Sequence, residues 1–358
     1  MTAYNWPRYL EYKSTNELVE LIENNPENFE DEAIFTAKRI LETRPRQLIQ
    51  NNEFPPKPTI EEKKNSINKS IISLISFVVL FMVFFRWEFK FIAILVLVIL
   101  IHEIGHYAAM RLYKFRDLSI FFIPLIGAFA KGEKEDITQK QNVIISLSGP
   151  IPGILIGCLL MYYAIDSSND FLTRVANLFI FINIFNLFPI MPLDGGRIIK
   201  ALFIENNLKI NIVFHWISIA ALCFIALSSE SYFLLVIPLL LYNQLRFQSQ
   251  IISLRKNLYD KDISLNKNYS DLTDREYWLI RDEIAQNIKG FDRLIDKKRY
   301  VAVPAEKRVI NTVKQIIEKR PIKDLKFIGK SLILLTWLLF LIVPYLYVLV
   351  LQVVYGLI

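Results

Sequence analysis

Cysteine and histidine are both scarce in this sequence, with two cysteines and three histidines among 358 residues. Cys158 and Cys223 each lie inside an apolar run, outside any CxxC pair and away from the histidines. That leaves no disulfide framework and no cysteine ligand pair, and it makes both of them packing residues. Also missing is the basic, then apolar, then small-residue order of a cleavable signal peptide: the chain opens MTAYNWPRYLEYK, and its first strongly apolar run starts only near Ser70. The expectation is an opening segment that stays in the cytosol. What is abundant is apolar: 53% of residues are hydrophobic and 13% aromatic, in blocks too long for soluble helices, and the mean hydropathy is +0.33. That composition identifies a membrane protein. The net charge of +7 resides largely in segments between the apolar runs. It therefore reads as membrane orientation and not as nucleic-acid binding.

Along the chain, residues 1–50 carry two amphipathic helix patterns. The first is opened by a capping box at Ser14 and Glu17 and presents Leu18, Leu21 and Ile22; the second presents Ile34, Ala37, Ile40 and Leu41 and closes at Pro45. Together they predict a small helical hairpin, either a docking module or a solvated appendage. Residues 51–69, with three prolines and four lysines, read as a linker. Uncharged runs then cover 70–85, 143–165, 175–193, 210–229, 231–245 and 331–358, and a seventh, 91–110, is interrupted only by His102, Glu103 and His106. A crossing takes roughly 20 residues, so the expected fold class is an all-α polytopic membrane protein of about seven transmembrane helices. The membrane domain is 70–245, a cytosolic soluble helical domain follows at 246–330, and 331–358 is a C-terminal transmembrane helix. Arg111, Lys114, Arg116, Lys131, Lys134, Lys140, Arg197, Lys200 and Lys209 fall in loops on one side, against Arg86 and Lys90 on the other. This asymmetry predicts a cytosolic N-terminus.

His102-Glu103-Ile104-Gly105-His106 is an HExxH pattern. On a helix, residues four apart share a face, so both imidazoles reach one metal while Glu103 points at the water it binds. The bland alternative is two histidines and a carboxylate satisfying one another, but polar groups in a span are costly unless they pair or bind something. A catalytic zinc needs a third protein ligand. His215 lies alone in a different span and reads as a buried or interfacial histidine. Asp194 ends the run Asn186-Leu187-Phe188-Pro189-Ile190-Met191-Pro192-Leu193-Asp194-Gly195-Gly196-Arg197, where two prolines break the helix and two glycines relax the backbone. Either it delivers a ligand from irregular chain at membrane depth, or it caps a following helix over 197–204. Both readings stand on these residues alone.

HEIGH on one span, NLFPIMPLDGGR at the end of a later one, and Ser148-Gly149-Pro150-Ile151-Pro152-Gly153 between them resemble the site-2 protease family of intramembrane zinc metalloproteases, over roughly residues 90–205. The resemblance implies a three-helix catalytic core. In it His102, His106 and Asp194 hold Zn2+, Glu103 is the catalytic carboxylate, and Asn186 holds substrate or polarises its carbonyl. It further implies metal-assisted hydrolysis of a membrane-spanning protein substrate within the lipid bilayer near the cytosolic face, in regulated intramembrane proteolysis at a bacterial inner membrane. Gly149, Gly153 and Gly157, four apart, smooth one helix face for close packing. Residues 118–131 look like the family's membrane-dipping hairpin, though an interfacial loop reads the same. The competing functions are a membrane metal transporter, a non-catalytic relative that binds membrane helices, and a different membrane HExxH protease class.

Overall fold

The computed structural model describes residues 33–41, 54–59, 66–85, 89–123, 127–134, 136–204, 208–259, 267–291, 306–317 and 321–355, with a few single positions between them. The chain divides into two compact units, residues 1–62 with 247–319, and residues 63–246 with 320–358.

The second unit contains helices α1 (Ser66–Phe85) and α2 (Phe89–Leu112), then strands β1 (Arg116–Ile123) and β2 (Gly127–Glu133). Helices α3 (Gln139–Ser148), α4 (Pro150–Asp166), α5 (Asp170–Asn186), α6 (Asp194–Ile199) and α7 (Leu208–Ser228) follow, then α8 (Val236–Tyr259), whose far end enters the other unit. Among the described residues, four helical stretches are long and apolar enough to cross a membrane: Phe89–Leu112, Gln139–Asp166, Lys209–Ser228 and the C-terminal Phe327–Val354. Their outer faces are apolar, with Leu155, Phe224, Leu227 and Leu335 exposed, as suits lipid contact and not water. The remaining expected spans are at least partly helical, but their apolar helical stretches are shorter or more polar. The 175–193 run stops being helix at Asn186, where the Pro189 and Pro192 segment begins, and the 231–245 run opens as a 3-10 turn, Tyr232–Leu235.

The all-α expectation needs one correction. β1 and β2 form an antiparallel two-stranded sheet in which Phe121 faces Phe129 and Ile120 faces Ala130. Residues 120–123, Ile-Phe-Phe-Ile, are all β-branched or aromatic, which favours a pleated strand over a helix. The hairpin leans on α1: the Phe122 amide donates to Ser73 Oγ at 3.1 Å, and the Phe77 ring meets Phe122 edge-on.

Local signals start the helices that carry the site. Thr138 and Gln141 close a capping box at the start of α3. Asn169 caps α5 by accepting from the Leu172 amide at 3.0 Å. After α6 the chain makes a π-helical turn, Lys200–Ile204, whose irregular pitch frees carbonyls. Gln139 Nε2 donates to Ala201 O at 2.6 Å, and Lys330 Nζ donates to Leu202 O at 3.0 Å. The C-terminal helix, Phe327–Val354, buries Trp337 among Leu187, Ile198 and Leu202 and sends its indole N–H to Leu187 O at 2.9 Å. This last span thus buttresses the loop that carries Asp194.

The first unit is built on α9 (Asp274–Asn287) and α10 (Glu306–Ile316), packed with the end of α8 around Leu254, Leu258, Trp278, Ile284 and Ile310. Arg281 is fully buried there, stacked on Trp278 and bonded to Glu306. Burying a charge is tolerable because its partner is buried beside it. Of the hairpin expected over residues 1–50, residues 33–41 are helical, and Ala33, Ala37 and Leu41 pack with Leu10 and Leu18. The capping box at Ser14 and Glu17 lies outside the described residues.

Candidate metal centre

Helix α2 buries one stripe through its membrane segment, Ile92, Leu95, Val98, His102, Glu103, His106, Ala109 and Met110, while Ile104 on the opposite side is exposed. The i, i+4 spacing places both imidazoles on that stripe. Their Nε2 atoms stand 3.1 Å apart. Asp194, first residue of α6, brings Oδ2 to 3.1 Å from His102 Nε2 and 3.2 Å from His106 Nε2. All three side chains are buried. Asp194 is not a capping residue: Leu193 occupies that position, and no side chain caps α6.

Hydrogen bonds on the far sides of the imidazoles fix where their protons are. Asn183 Nδ2 donates to Phe179 O at 2.8 Å, which orients the amide so that its oxygen faces His102. Asn183 Oδ1 lies 2.8 Å from His102 Nδ1, so that nitrogen carries the proton. His106 Nδ1 donates likewise to Ile145 O at 2.8 Å. In the neutral imidazoles both Nε2 atoms then present lone pairs, toward each other and toward a carboxylate. Asp194 Oδ2 is left without a hydrogen bond, and so is Glu103 Oε2. Two nitrogen lone pairs and a carboxylate buried in contact repel one another, and a cation among them, a metal ion or a proton, relieves that repulsion. Ligands about 2.0–2.1 Å from a tetrahedral zinc stand about 3.3 Å apart, close to the separations here. The donor set of two neutral imidazoles and one carboxylate is that of catalytic zinc, so these residues fit the ion.

Glycines set how closely the supporting backbone approaches. A Cβ at Gly149 would fall 2.3 Å from His106 Nε2, one at Gly153 would fall 2.1 Å from Asn183 Nδ2, and one at Gly105 would fall 2.0 Å from Ser148 O. Packing was the expected role of the 149, 153 and 157 series. Gly157 keeps that role against Ile180, whereas Gly149 and Gly153 make room for a candidate ligand and its hydrogen-bond partner. Gly195 and Gly196 likewise serve close approach: added Cβ atoms would lie 1.9 Å from Leu187 O and 2.5 Å from Ile190 O. Neither has a positive φ, so the expected relaxing of the backbone is replaced by tight seating of the Asp194 turn on residues 187–191.

Glu103 is buried on the same helix, near enough to interact electrostatically with both histidines and Asp194. Asn186 bonds back to Ile182 O at 2.9 Å in the last turn of α5. His215 is buried on α7 with Nδ1 on Asn211 O. Asn183 was missed by motif reading, although an amide in the middle of an apolar run is itself a signal, because it must find a partner there. Asn183→Leu is expected to weaken zinc binding by about 10–100-fold, measured by competition against a chromogenic chelator. Unchanged affinity would mean that Asn183 does not set the His102 tautomer.

Residues 90–176 match the family model for Peptidase family M50; the match spans His102, Glu103, His106 and the 149–157 glycines and ends before Asp194. Zinc metalloprotease MJ0392 of Methanocaldococcus jannaschii is 27% identical over 191 residues, which cover 49% of this chain and 55% of that protein. Stage IV sporulation protein FB of Bacillus subtilis is 26% identical over 258 residues, 68% of this chain and 78% of that protein. The chain thus spans little more than half the length of the first of these relatives. Among solved structures, a site-2 protease from Methanocaldococcus jannaschii aligns with a TM-score of 0.37 at 22% identity, covering 50% of this chain and 87% of the other.

Proposed function

The chain carries a metallopeptidase core of the site-2 protease family, peptidase family M50, and from that premise we propose that it is an integral-membrane zinc endopeptidase that cuts membrane-spanning proteins near the cytosolic face. One observation carries this reading: three buried potential ligand atoms, two imidazole nitrogens and a carboxylate oxygen, converge to 3.1–3.2 Å beside a buried, unbonded carboxylate. His102, His106 and Asp194 would hold the ion. Bound zinc supplies Lewis-acid polarisation of a water and of the scissile carbonyl. Glu103 takes the proton from the attacking water and passes it to the departing amine. Asn183 and the Ile145 carbonyl keep both imidazoles in the binding tautomer throughout. Asn186 lies at the end of α5 where the chain turns toward Asp194, and it holds the substrate carbonyl.

A helical substrate hides its carbonyls in hydrogen bonds, so it unwinds before attack. In a two-stranded sheet each strand keeps one edge without a strand partner, and the β1–β2 hairpin offers such an edge to the extended segment. His102 and His106 fall in the second half of α2, toward Arg111, which with a cytosolic N-terminus puts the site near the cytosolic side. Seven crossings, counting the shorter apolar helices, give that topology. Cleavage there releases a cytosolic fragment, the output of regulated intramembrane proteolysis, at a bacterial inner membrane.

Metal removal tests the assignment. Purified protein in detergent is expected to cleave a panel of membrane-helix substrates, to lose cleavage with 1,10-phenanthroline, and to regain it with about one equivalent of zinc per chain. Cleavage indifferent to the chelator would remove the metal from the mechanism.

A further inference from the structure

Residues 54–59, Phe-Pro-Pro-Lys-Pro-Thr, take neither helix nor strand. Their conformation is set by the prolines: Pro55, Pro56 and Pro58 fix φ, and Phe54, Pro55 and Lys57 each precede a proline and are held extended. Prolines at these positions favour the polyproline II conformation, with three residues per turn. The carbonyls of Pro55 and Pro58, three apart, therefore share a face. Both are met by aromatic donors from the 247–319 part of the same unit: Trp278 Nε1 donates to Pro55 O at 2.7 Å, and the Tyr269 hydroxyl donates to Pro58 O at 2.7 Å.

The lysine between them is read separately. Lys57 Nζ donates to the Tyr269 carbonyl at 2.8 Å and the Ser270 carbonyl at 2.9 Å, and also to the Leu272 carbonyl, while it lies 5.3 Å from the Tyr269 ring centre. These carbonyls belong to the turn that leads into α9, where Thr273 caps the helix. The Lys57 amide donates to Asp274 Oδ1 at 2.8 Å. Each polar group of the strand that faces the unit has a partner, and the partners lie more than 200 residues away in sequence. Aromatic donors on successive turns of a Pro-x-x-Pro strand, with a separate subsite for a basic residue, are how proline-rich peptides are bound by dedicated modules.

We propose that the face formed by Tyr269, Asp274, Trp278 and the 269–272 carbonyl cage is a binding site for a lysine-bearing proline-rich strand, filled in cis by this chain's own residues 54–58. The site is independent of the metal centre and of the proteolytic reading. Burial and the carboxylates of Glu306 and Asp274 push the Tyr269 phenol above its ordinary range, so its hydroxyl remains a donor at any physiological pH. The cis strand lies in the chain that leads into α1 at Ser66. A proline-rich peptide that wins the site releases that segment. As a covalently linked occupant the strand has a high effective concentration, and only its weakening opens the site to an outside peptide.

The test uses the full-length protein in detergent and a fluorescent synthetic peptide with the sequence of residues 52–60. Wild type, its site filled, is expected to bind the peptide at least about tenfold more weakly than the P55G/P56S/K57G/P58S variant. Residues 55–58 contribute nothing to the buried core of the unit, and Lys57→Ala serves as a milder opening should the fourfold variant be poorly behaved. Adding Tyr269→Phe to the opened protein should lower affinity by about fivefold, and a peptide with alanine in place of its prolines should not bind. If neither opened protein binds the peptide, or the alanine peptide binds as well, the face is a fixed tether and the proposal fails.

Discussion

Glu103→Gln leaves zinc content at the wild-type level and lowers peptide hydrolysis by about 10²–10⁴-fold, the range that a positioned general acid–base group contributes. The substitution keeps the shape of the side chain and removes only its capacity to accept and return a proton. Glu103 lies outside the three-residue group able to hold a metal, so the ligand triangle is untouched. Its Oε2 atom is buried without a hydrogen-bond partner, an expensive state for a carboxylate whose function is purely structural. The readouts are initial rates on a membrane-helix substrate and elemental analysis of the same preparation. A transport function predicts the opposite split, because moving an ion through the same ligands needs no proton acceptor: zinc flux into proteoliposomes would survive in the variant. Undiminished cleavage would show that the proton carrier is another group.

What was legible in the sequence is what depends on local spacing. The His102 and His106 pairing follows from helix periodicity alone, and the end of α5 follows from Pro189 and Pro192. The four long spans follow from apolar run length. The features that escaped are those that depend on which segments meet. Asn183 is one polar residue in an apolar run until α5 is laid against α2, and only then does its oxygen find His102 Nδ1. Gly195 and Gly196 read as a flexible turn until the Leu187 and Ile190 carbonyls are seen against them. Trp337 and Leu187 are 150 residues apart, and no periodicity links a tryptophan in the last span to the loop before Asp194. The strand 54–58 has the composition of a linker, and its partners at 269–278 become visible only when the unit is folded.

Asp194 is where the sequence left two readings open, and Asp194→Ala separates them by zinc content. An acidic residue in the first turn of a short helix contributes typically 0.3–1 kcal/mol through the helix dipole, and its tie to the half-exposed Arg197, 3.8 Å away, adds little. If that were the whole role, Asp194→Ala would shift thermal stability slightly and leave metal content unchanged. The geometry predicts more. Asp194 Oδ2 is the anionic member of the triangle, and without it a buried divalent cation would face two neutral imidazoles and no compensating charge. Zinc per chain is therefore expected to fall from about one to near zero after gel filtration in metal-free buffer, with hydrolysis lost alongside. Asp194→Asn, which keeps the shape and removes the charge, should fall between the two, because the amide oxygen still points at the imidazoles but binds the cation less strongly. Zinc retained at wild-type levels in both variants would make some other group the third ligand. The 3.1–3.2 Å contacts would then be charge-assisted hydrogen bonds from a protonated imidazole Nε2–H to Asp194 Oδ2, an arrangement that keeps the Asn183 and Ile145 hydrogen bonds on Nδ1.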